Sequence, residues 1–287
     1  MTPSWWVSPP SRSSAKNFES ANARNCLKVS LISLDQVWEN KAANLARCEA
    51  LTAIAVRGGA ELVIFPEMTL TGFTMNTELS AEASEGSPSQ VAFSAMAARH
   101  RVWVVAGVVL RQGEKAANTL LVFSPDGREE ARYVKLHPFS PAGEDRWFEA
   151  GNSLARVQIG EFTVGLTICY DLRFPELYSA LAKDCDLLVN IANWPQRRVA
   201  HWRTLLQARA IENQVFMVGV NRTGTDGNGF AYERSSGVVN ANGELLSPAA
   251  TAGEVDWYEV RRQELLDFRQ GFTTRQDRRP DFYREVM

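Results

Sequence analysis

The sequence is short of the residues from which metal sites are usually built. Its 287 residues include three histidines and four cysteines. The histidines, which have neither an HExxH spacing nor another ligand spacing, are His100, His137 and His201. A histidine-built metal site is therefore not expected, and we assign no metal or other cofactor to the chain. A catalytic Cys–His couple would also have to use one of these scattered residues.

The cysteines likewise lack the paired spacing of a zinc or redox motif. They are Cys26, Cys48, Cys169 and Cys185. Because no secretory signal core is visible near the start, we expect reduced thiols and a cytoplasmic location.

The chain also lacks an excess of charge of one sign and a long apolar run. Its formal net charge of −2 provides no positive field for a phosphate backbone, so nucleic acid is not an expected partner. No apolar run approaches the roughly 20 residues that span a bilayer, so no membrane association is expected. The 45% of hydrophobic residues in a chain of this length is enough for a large buried core.

The first residues differ in composition from the rest of the chain. Residues 1–26 are rich in serine, contain Trp5-Trp6 and Pro9-Pro10, and have neither a helical nor a strand period. We expect a poorly ordered N-terminal arm there. Residues 27–287 would form the folded part.

Beyond the arm, apolar runs typical of strands alternate with segments of helical spacing. The strand-like runs 27–34 and 61–65 enclose the helix-like segment 38–57. Turn signals predict hairpins at Pro125-Asp126-Gly127, at Gly160 and at Asn242-Gly243. This combination of βαβ units and hairpins indicates an α/β fold with mixed sheets. We favour one large domain, and two small domains are the alternative.

Three reactive side chains follow directly on buried-looking strands. Glu67 follows ELVIFP, Lys135 closes RYVK and Cys169 ends LTIC. Taken singly, such residues are more often packed thiols or solvated charges. Together they suit covalent catalysis, because a thiol attacks a carbonyl as a thiolate and needs a base and a nearby cation. The sequence alone does not show that these side chains meet.

The segments around these residues resemble the nitrilase, or carbon–nitrogen hydrolase, superfamily. The matching segments are VIFPEM (63–68), YVKLHPF (133–139), GLTICYDLRFPEL (165–177), NIANWP (190–195), HWRTLLQARAIENQ (201–214) and NRTGTDGNG (221–229). CYDLRFPE is specific, whereas FPE alone would be weak. The resemblance covers roughly residues 27–285.

The resemblance implies a role for each matching residue. Glu67 corresponds to the general base, Lys135 to the lysine that holds the oxyanion and Cys169 to the nucleophile. The backbone N–H of Tyr170 would be the second oxyanion donor. Glu144 falls where the family has a second glutamate that orients the lysine and the substrate.

The resemblance also implies a four-layer α-β-β-α sandwich that pairs into a homodimer. The tail, about residues 269–287, would be the arm that reaches onto the partner subunit. Its many charges leave a solvated, disordered end as the alternative.

Within the superfamily, PEMTLTGFTMN (66–76) and the ANWP segment are most similar to the omega-amidase branch. Membership of that branch implies hydrolysis of the terminal amide of 2-oxoglutaramate or 2-oxosuccinamate. Thr69-Leu70 departs from the usual aromatic-Thr pair after PEM, which could reshape the pocket wall. The residues expected to bind the substrate are Phe73, Asn193, Trp194 and Arg198.

The substrate's carboxylate needs a charged partner, and a forked guanidinium suits it best. We expect Arg198 to be that partner and Arg173 to have a structural ion-pair role. The alternatives for the whole chain are a true nitrilase, an N-carbamoyl hydrolase, an acyl-transferring member and a non-catalytic interaction module on the same fold.

Overall fold

A computed structural model describes residues 25–286 of the protein. The N-terminal arm predicted for residues 1–26 lies outside the described residues, apart from its last two positions. Cys26 already belongs to the first strand, so the folded part begins one residue earlier than predicted. Among the described residues, no helix is long and apolar enough to cross a membrane.

The strands are numbered in chain order. They are β1 (Cys26–Ile32), β2 (Leu62–Ile64), β3 (Trp103–Gln112), β4 (Lys115–Phe123), β5 (Glu129–Val134), β6 (Arg156–Ile159), β7 (Phe162–Ile168), β8 (Leu187–Ala192), β9 (Phe216–Asn221), β10 (Gly224–Thr225), β11 (Ala231–Tyr232), β12 (Gly237–Val239), β13 (Ala250–Ala252) and β14 (Val255–Arg261).

The helices are numbered in the same way. They are α1 (Lys41–Arg57), α2 (Thr77–Ser80), α3 (Pro88–His100), α4 (Glu144–Trp147), α5 (Pro175–Leu181), α6 (Val199–Asn213), α7 (Arg262–Gly271) and α8 (Pro280–Val286). Short 3-10 turns occupy Ser140–Ala142, Cys169–Arg173, Gln196–Arg198 and Arg275–Asp277.

The strands form two large mixed sheets, as the sequence predicted. One has seven strands in the order β13-β14-β1-β2-β3-β4-β5, and the other has five in the order β12-β9-β8-β7-β6. The pairs β1–β2, β2–β3, β7–β8 and β8–β9 are parallel, and the remaining pairs in these sheets are antiparallel. The small strands β10 and β11 pair only with each other in the described part of the chain.

Helices cover the outer faces of both sheets and leave the inner faces to pack against each other. Val29 on β1 and Leu166 on β7 belong to one core cluster between the sheets. Phe93 on α3 packs with Val63 and Val104 on the outer face of the seven-stranded sheet. The predicted four-layer α-β-β-α sandwich is therefore confirmed.

Close contact between the outer helices and the five-stranded sheet depends on two glycines. A Cβ on Gly165 would lie 2.6 Å from Leu188 and 2.8 Å from Leu181 of α5. A Cβ on Gly219 would lie 2.6 Å from Leu206 and 2.7 Å from Trp202 of α6. Because both positions lack a Cβ, the helices lie directly on the strands that carry the site.

All three predicted hairpins turn where expected, but the third is incomplete. β4 pairs with β5, and β6 pairs with β7. After β12, one bridge joins Val239 to Leu245. The side chain of Asn240 accepts hydrogen bonds from the backbone N–H groups of Asn242 and Glu244, both at 3.0 Å. These N–H groups are therefore not available to extend the antiparallel pairing of the hairpin.

The C-terminal segment packs on the outer helices of its own chain. Arg275 donates to the carbonyl of Ala182 at 2.7 Å, and Arg278 donates to that of Glu212 at 2.9 Å. These carbonyls lie at the C-terminal ends of α5 and α6, where the last carbonyl groups have no N–H partner within the helix. A positively charged donor there also interacts favourably with the helix dipole. That the segment also reaches a partner subunit stays a prediction.

Replacement of Gly107 by alanine should destabilise the fold locally around the glutamate segment. A Cβ there would lie 2.4 Å from the backbone nitrogen of Met68, which cannot move like a flexible side chain. We expect Gly107→Ala to cost about 1–3 kcal/mol of unfolding free energy, which thermal unfolding would show as a Tm lower by several degrees. Gly271→Ala is the control, since a Cβ there has no heavy atom within 4 Å. Equal Tm values for both variants would contradict this account.

Candidate active site

Glu67 lies at the end of β2 and is 0% exposed. The side chain of Gln36 donates to the carbonyl of Glu67 at 3.0 Å and to that of Met68 at 2.9 Å. The side-chain nitrogen of Asn193 also donates to the Glu67 carbonyl, at 2.6 Å. These contacts fix the backbone that presents the carboxylate.

Lys135 joins two buried carboxylates. Its Nζ donates to Oε1 of Glu67 at 2.9 Å and to Oε2 of Glu144 at 2.8 Å. Asn118, on β4, donates from Nδ2 to Glu67 at 2.7 Å and to Glu144 at 2.8 Å. Sequence reasoning missed Asn118. The signal for it was a polar residue inside an otherwise apolar strand.

This cluster keeps Lys135 charged in spite of its burial. Burial lowers the pKa of Lys135, but the carboxylates of Glu144 and Glu67 outweigh it, so the pKa is raised above the usual value. Burial raises the pKa of Glu144, and Lys135 opposes that change. The lysine is thus a permanent cation held between two acceptors.

Cys169 follows β7 and begins the 3-10 turn Cys169–Arg173. Its φ of +47° lies in the left-handed region, which side chains rarely adopt without support from their surroundings. Its Sγ lies 4.0 Å from the carbonyl oxygen of Asn193, and the backbone N–H of the same Asn193 donates to Oε2 of Glu67 at 2.9 Å. Asn193 therefore connects the thiol to the glutamate.

The surroundings of the Cys169 thiol favour its neutral form. Burial and the carboxylate of Glu67 raise its pKa well above the usual range, and the charge of Lys135 opposes them. A thiol in this setting becomes a nucleophile only when a base removes its proton as it attacks.

A cleft of about 740 Å³ opens in front of Cys169, which is 9% exposed. All four residues predicted to bind the substrate line it: Phe73, Asn193, Trp194 and Arg198. Tyr170 also lines the cleft, and its ring lies edge-on to that of Phe139 at 4.8 Å. The backbone N–H of Tyr170 comes directly after the thiol within the same turn.

Arg173 and Arg198, which both line the cleft, lie over aromatic rings. Arg173 lies 4.8 Å from the ring of Trp194. Arg198 lies 5.3 Å from the ring of Phe139. Burial and the charge of Arg197 lower the pKa of Arg198, so an anion bound there would relieve this repulsion.

The ion pair predicted for Arg173 is not formed within the described residues. Within residues 25–286, neither Arg173 nor Arg198 has a carboxylate oxygen within 4.0 Å, whereas other arginines do. The ring of Trp194 and Nδ1 of His201, 3.3 Å from the guanidinium, contact Arg173 instead. Both arginines therefore face the cleft as uncompensated cations.

The acidic groups of the cleft are already engaged. Asp226 accepts the hydroxyl of Tyr232 at 2.8 Å and the N–H of Phe230 at 2.9 Å. Glu39 accepts the hydroxyl of Thr74 at 2.5 Å. In the described part of the chain, no group of three or more His, Cys, Asp or Glu side chains is placed to hold a metal ion.

The sandwich fold and the buried Glu–Lys pair beside a cysteine define a class of enzymes, the carbon–nitrogen hydrolases. The chain belongs to the carbon-nitrogen hydrolase family, whose sequence profile matches residues 28–269. It is a hydrolase acting on carbon–nitrogen bonds, and the resemblance noted in its sequence is confirmed.

Two curated relatives have related names. Omega-amidase YafV of Escherichia coli strain K12 is 34% identical over 254 residues, which cover 88% of this chain and 96% of the relative. 2-Oxoglutaramate amidase of Paenarthrobacter nicotinovorans is 34% identical over 238 residues, which cover 79% and 81%.

A solved structure has the same fold. XC1258 of Xanthomonas campestris is described as a CN-hydrolase superfamily protein with an arsenic adduct in its active site. It is 31% identical, with a TM-score of 0.82 over 88% of this chain and 97% of that one.

The two charges beside Cys169 should move its reactivity in opposite directions. Glu67 raises the pKa of the thiol and Lys135 lowers it. We therefore expect Glu67→Gln to shift the pH midpoint of Cys169 alkylation by iodoacetamide downward and Lys135→Met to shift it upward, each by about one pH unit or more. Peptide mapping by mass spectrometry measures the rate at each thiol.

Cys26 is the internal control for this measurement. It is half-buried at the start of β1, and neither variant should change its alkylation profile. Shifts of Cys169 in the same direction in both variants would contradict the electrostatic account.

Proposed function

We propose that the protein hydrolyses the terminal amide of a small 2-oxo dicarboxylic acid, such as 2-oxoglutaramate or 2-oxosuccinamate. The reaction passes through a thioester on Cys169 and releases ammonia. The observation that carries the proposal is the Cys169 thiol beside the buried Glu67–Lys135 pair, at a cleft whose arginines have no carboxylate partner among residues 25–286. The names of the curated relatives support the substrate class.

Acylation begins with the proton of the thiol. Glu67 takes it as sulfur attacks the amide carbon, because burial disfavours a free thiolate. Lys135 Nζ and the N–H of Tyr170 stabilise the oxyanion. When the C–N bond breaks, Glu67 returns the proton to the leaving nitrogen, and ammonia departs from the thioester.

Hydrolysis of the thioester reverses these roles. Glu67 removes a proton from water, whose oxygen attacks the thioester carbon. The C–S bond breaks, and the proton returns to sulfur. Glu144 and Asn118 act through Lys135 and Glu67, because they hold those two groups in place.

Arg198 is the proposed partner of the substrate's carboxylate, and Arg173 is the second candidate. Both line the cleft beside Phe139 or Trp194 and lack a carboxylate partner in the described chain. A guanidinium beside an aromatic ring can form a bidentate contact with a carboxylate.

We also propose a homodimer in the cytoplasm. Several apolar side chains are exposed on α6 and on the C-terminal segment, among them Ile211, Phe272 and Phe282, and a partner subunit would cover them. A mass in solution near 32.0 kDa, that of one chain, would contradict the dimer. A nucleophilic thiol and three other free cysteines suit a reducing compartment.

Removal of the nucleophile should abolish turnover without unfolding the protein. We expect Cys169→Ala to release no ammonia from 2-oxosuccinamate and to keep the Tm within a few degrees, because the side chain is small. Cys48→Ala and Cys185→Ala are the matched controls and should keep the wild-type kcat. Intact-protein mass spectrometry should also find no acyl adduct in Glu67→Gln. Activity lost in Cys185→Ala but kept in Cys169→Ala would overturn the assignment.

Loss of Arg198 should affect charged substrates selectively. We expect Arg198→Ala to raise KM for 2-oxosuccinamate about ten- to hundredfold, the scale of one charge-assisted hydrogen bond, and to change hydrolysis of butyramide much less. Arg203→Ala is the control, since Arg203 lies on α6, the helix that begins directly after Arg198, but pairs with Glu233. Equal losses on both substrates would indicate a loop defect. An unchanged KM would remove Arg198 from the site and leave Arg173.

A further inference from the structure

Asp171 is a fully buried carboxylate two residues after the nucleophile. Its Oδ2 accepts the backbone N–H of Ile168 at 3.0 Å and the hydroxyl of Tyr133 at 2.7 Å. Its Oδ1 accepts the backbone N–H of His137 at 3.0 Å and lies 2.7 Å from Nδ1 of the same ring. One side chain thus joins two separate segments of the site.

The partners of Asp171 flank the reacting groups in the chain. Tyr133 comes two residues before Lys135, and His137 comes two residues after it. Ile168 comes directly before Cys169. A movement of the lysine segment relative to the nucleophile turn would break at least one of these contacts.

The charge of Asp171 is stabilised by these donors. Within the described residues no lysine or arginine lies within 4.0 Å of its carboxylate, and His137 is its one potentially cationic neighbour. Burial and the Asp171 charge raise the pKa of Tyr133 well above its usual range, so the phenol remains a donor. The ring of His137 is stacked on Phe174 at 3.8 Å, which fixes its direction.

The turn that Asp171 supports is strained. Cys169 has a φ of +47°, and a residue in that region persists when its surroundings hold it there. Asp171 fixes the turn on one side through the N–H of Ile168. On the other side it contacts Tyr133 and His137. The backbone N–H of Tyr170 lies between them.

We propose that Asp171, together with Tyr133 and His137, is a positioning clamp for the oxyanion site. It holds the N–H of Tyr170 and the Nζ of Lys135 at a fixed separation, so that both donors reach the same oxygen. This inference rests on the proposed function, because it assigns a task within the same reaction. The clamp acts on the transition state and touches neither the substrate nor the cleft arginines.

The test compares variants that remove one donor each. Tyr133→Phe and His137→Leu should lower kcat about tenfold or more and change KM less than about twofold, because a misplaced donor weakens the transition state. His137→Asn should restore kcat to within about threefold of wild type, since its Nδ2 can occupy the position of Nδ1. All variants are assayed well below their Tm.

Tyr178→Phe is the matched control for stability. Its hydroxyl is also buried and lies 2.7 Å from that of Thr167 and 2.9 Å from Nδ2 of Asn190, and it forms no hydrogen bond with Asp171. We expect Tyr178→Phe to lower the Tm and to leave kcat unchanged. If Tyr133→Phe and His137→Leu behave in the same way, the clamp is only structural and the inference is wrong.

Binding of butyraldehyde provides a readout that needs no turnover. Sulfur of Cys169 bonds to the aldehyde carbon, the thiol proton passes to Glu67, and the new oxyanion occupies the same site. We expect the Kd for butyraldehyde to rise in Tyr133→Phe and His137→Leu by a factor similar to the loss in kcat, and the Kd for butyrate to stay constant. Calorimetry measures both.

The aldehyde measurement separates the two proposals. If no 2-oxo amide is hydrolysed but aldehyde binding weakens in the two variants, the proposed substrate is wrong and the clamp stands. If 2-oxosuccinamate is hydrolysed and the variants bind butyraldehyde as tightly as wild type, the clamp is wrong and the proposed function stands.

Discussion

The buried contact of Lys135 with two carboxylates is the interaction on which the rest of the site depends. Each of these charges alone would be strongly destabilised inside the protein, so the set is tolerable only while its geometry holds. Lys135 follows β5, Glu67 follows β2 and Glu144 begins α4. Asn118, which donates to both carboxylates, lies in the middle of β4. The fold must therefore keep four elements in register around one ammonium group.

The site has a buried side and a side that faces the cleft, with Cys169 between them. Behind the thiol, Glu67 and Lys135 are 0% and 1% exposed and contact each other at 2.9 Å. In front of it, the cleft arginines have aromatic faces but no carboxylate partner in the described chain. Proton transfer and substrate recognition thus occur in different environments, so a change in one side can leave the other intact.

The sequence predicted the alternation of elements and the residues of its specific motifs, and the mixed sheets followed from βαβ and hairpin signals. Asn118 escaped notice because one polar residue in an apolar strand has no motif, and its two carboxylate partners lie 51 and 26 residues away. Arg173 contacts an indole ring, a kind of partner that charge patterns do not reveal. The strands β10 and β11, two residues each, are too short for any period to indicate.

The raised pKa of the Cys169 thiol has a consequence for the durability of the protein. Peroxide oxidises thiolates far faster than thiols, and the first product, a sulfenic acid, can go on to irreversible forms. A sulfur that keeps its proton until a substrate carbonyl arrives presents little thiolate to an oxidant in the meantime. The same burial that makes the nucleophile weak at rest therefore also favours the protonated form, which peroxide oxidises slowly.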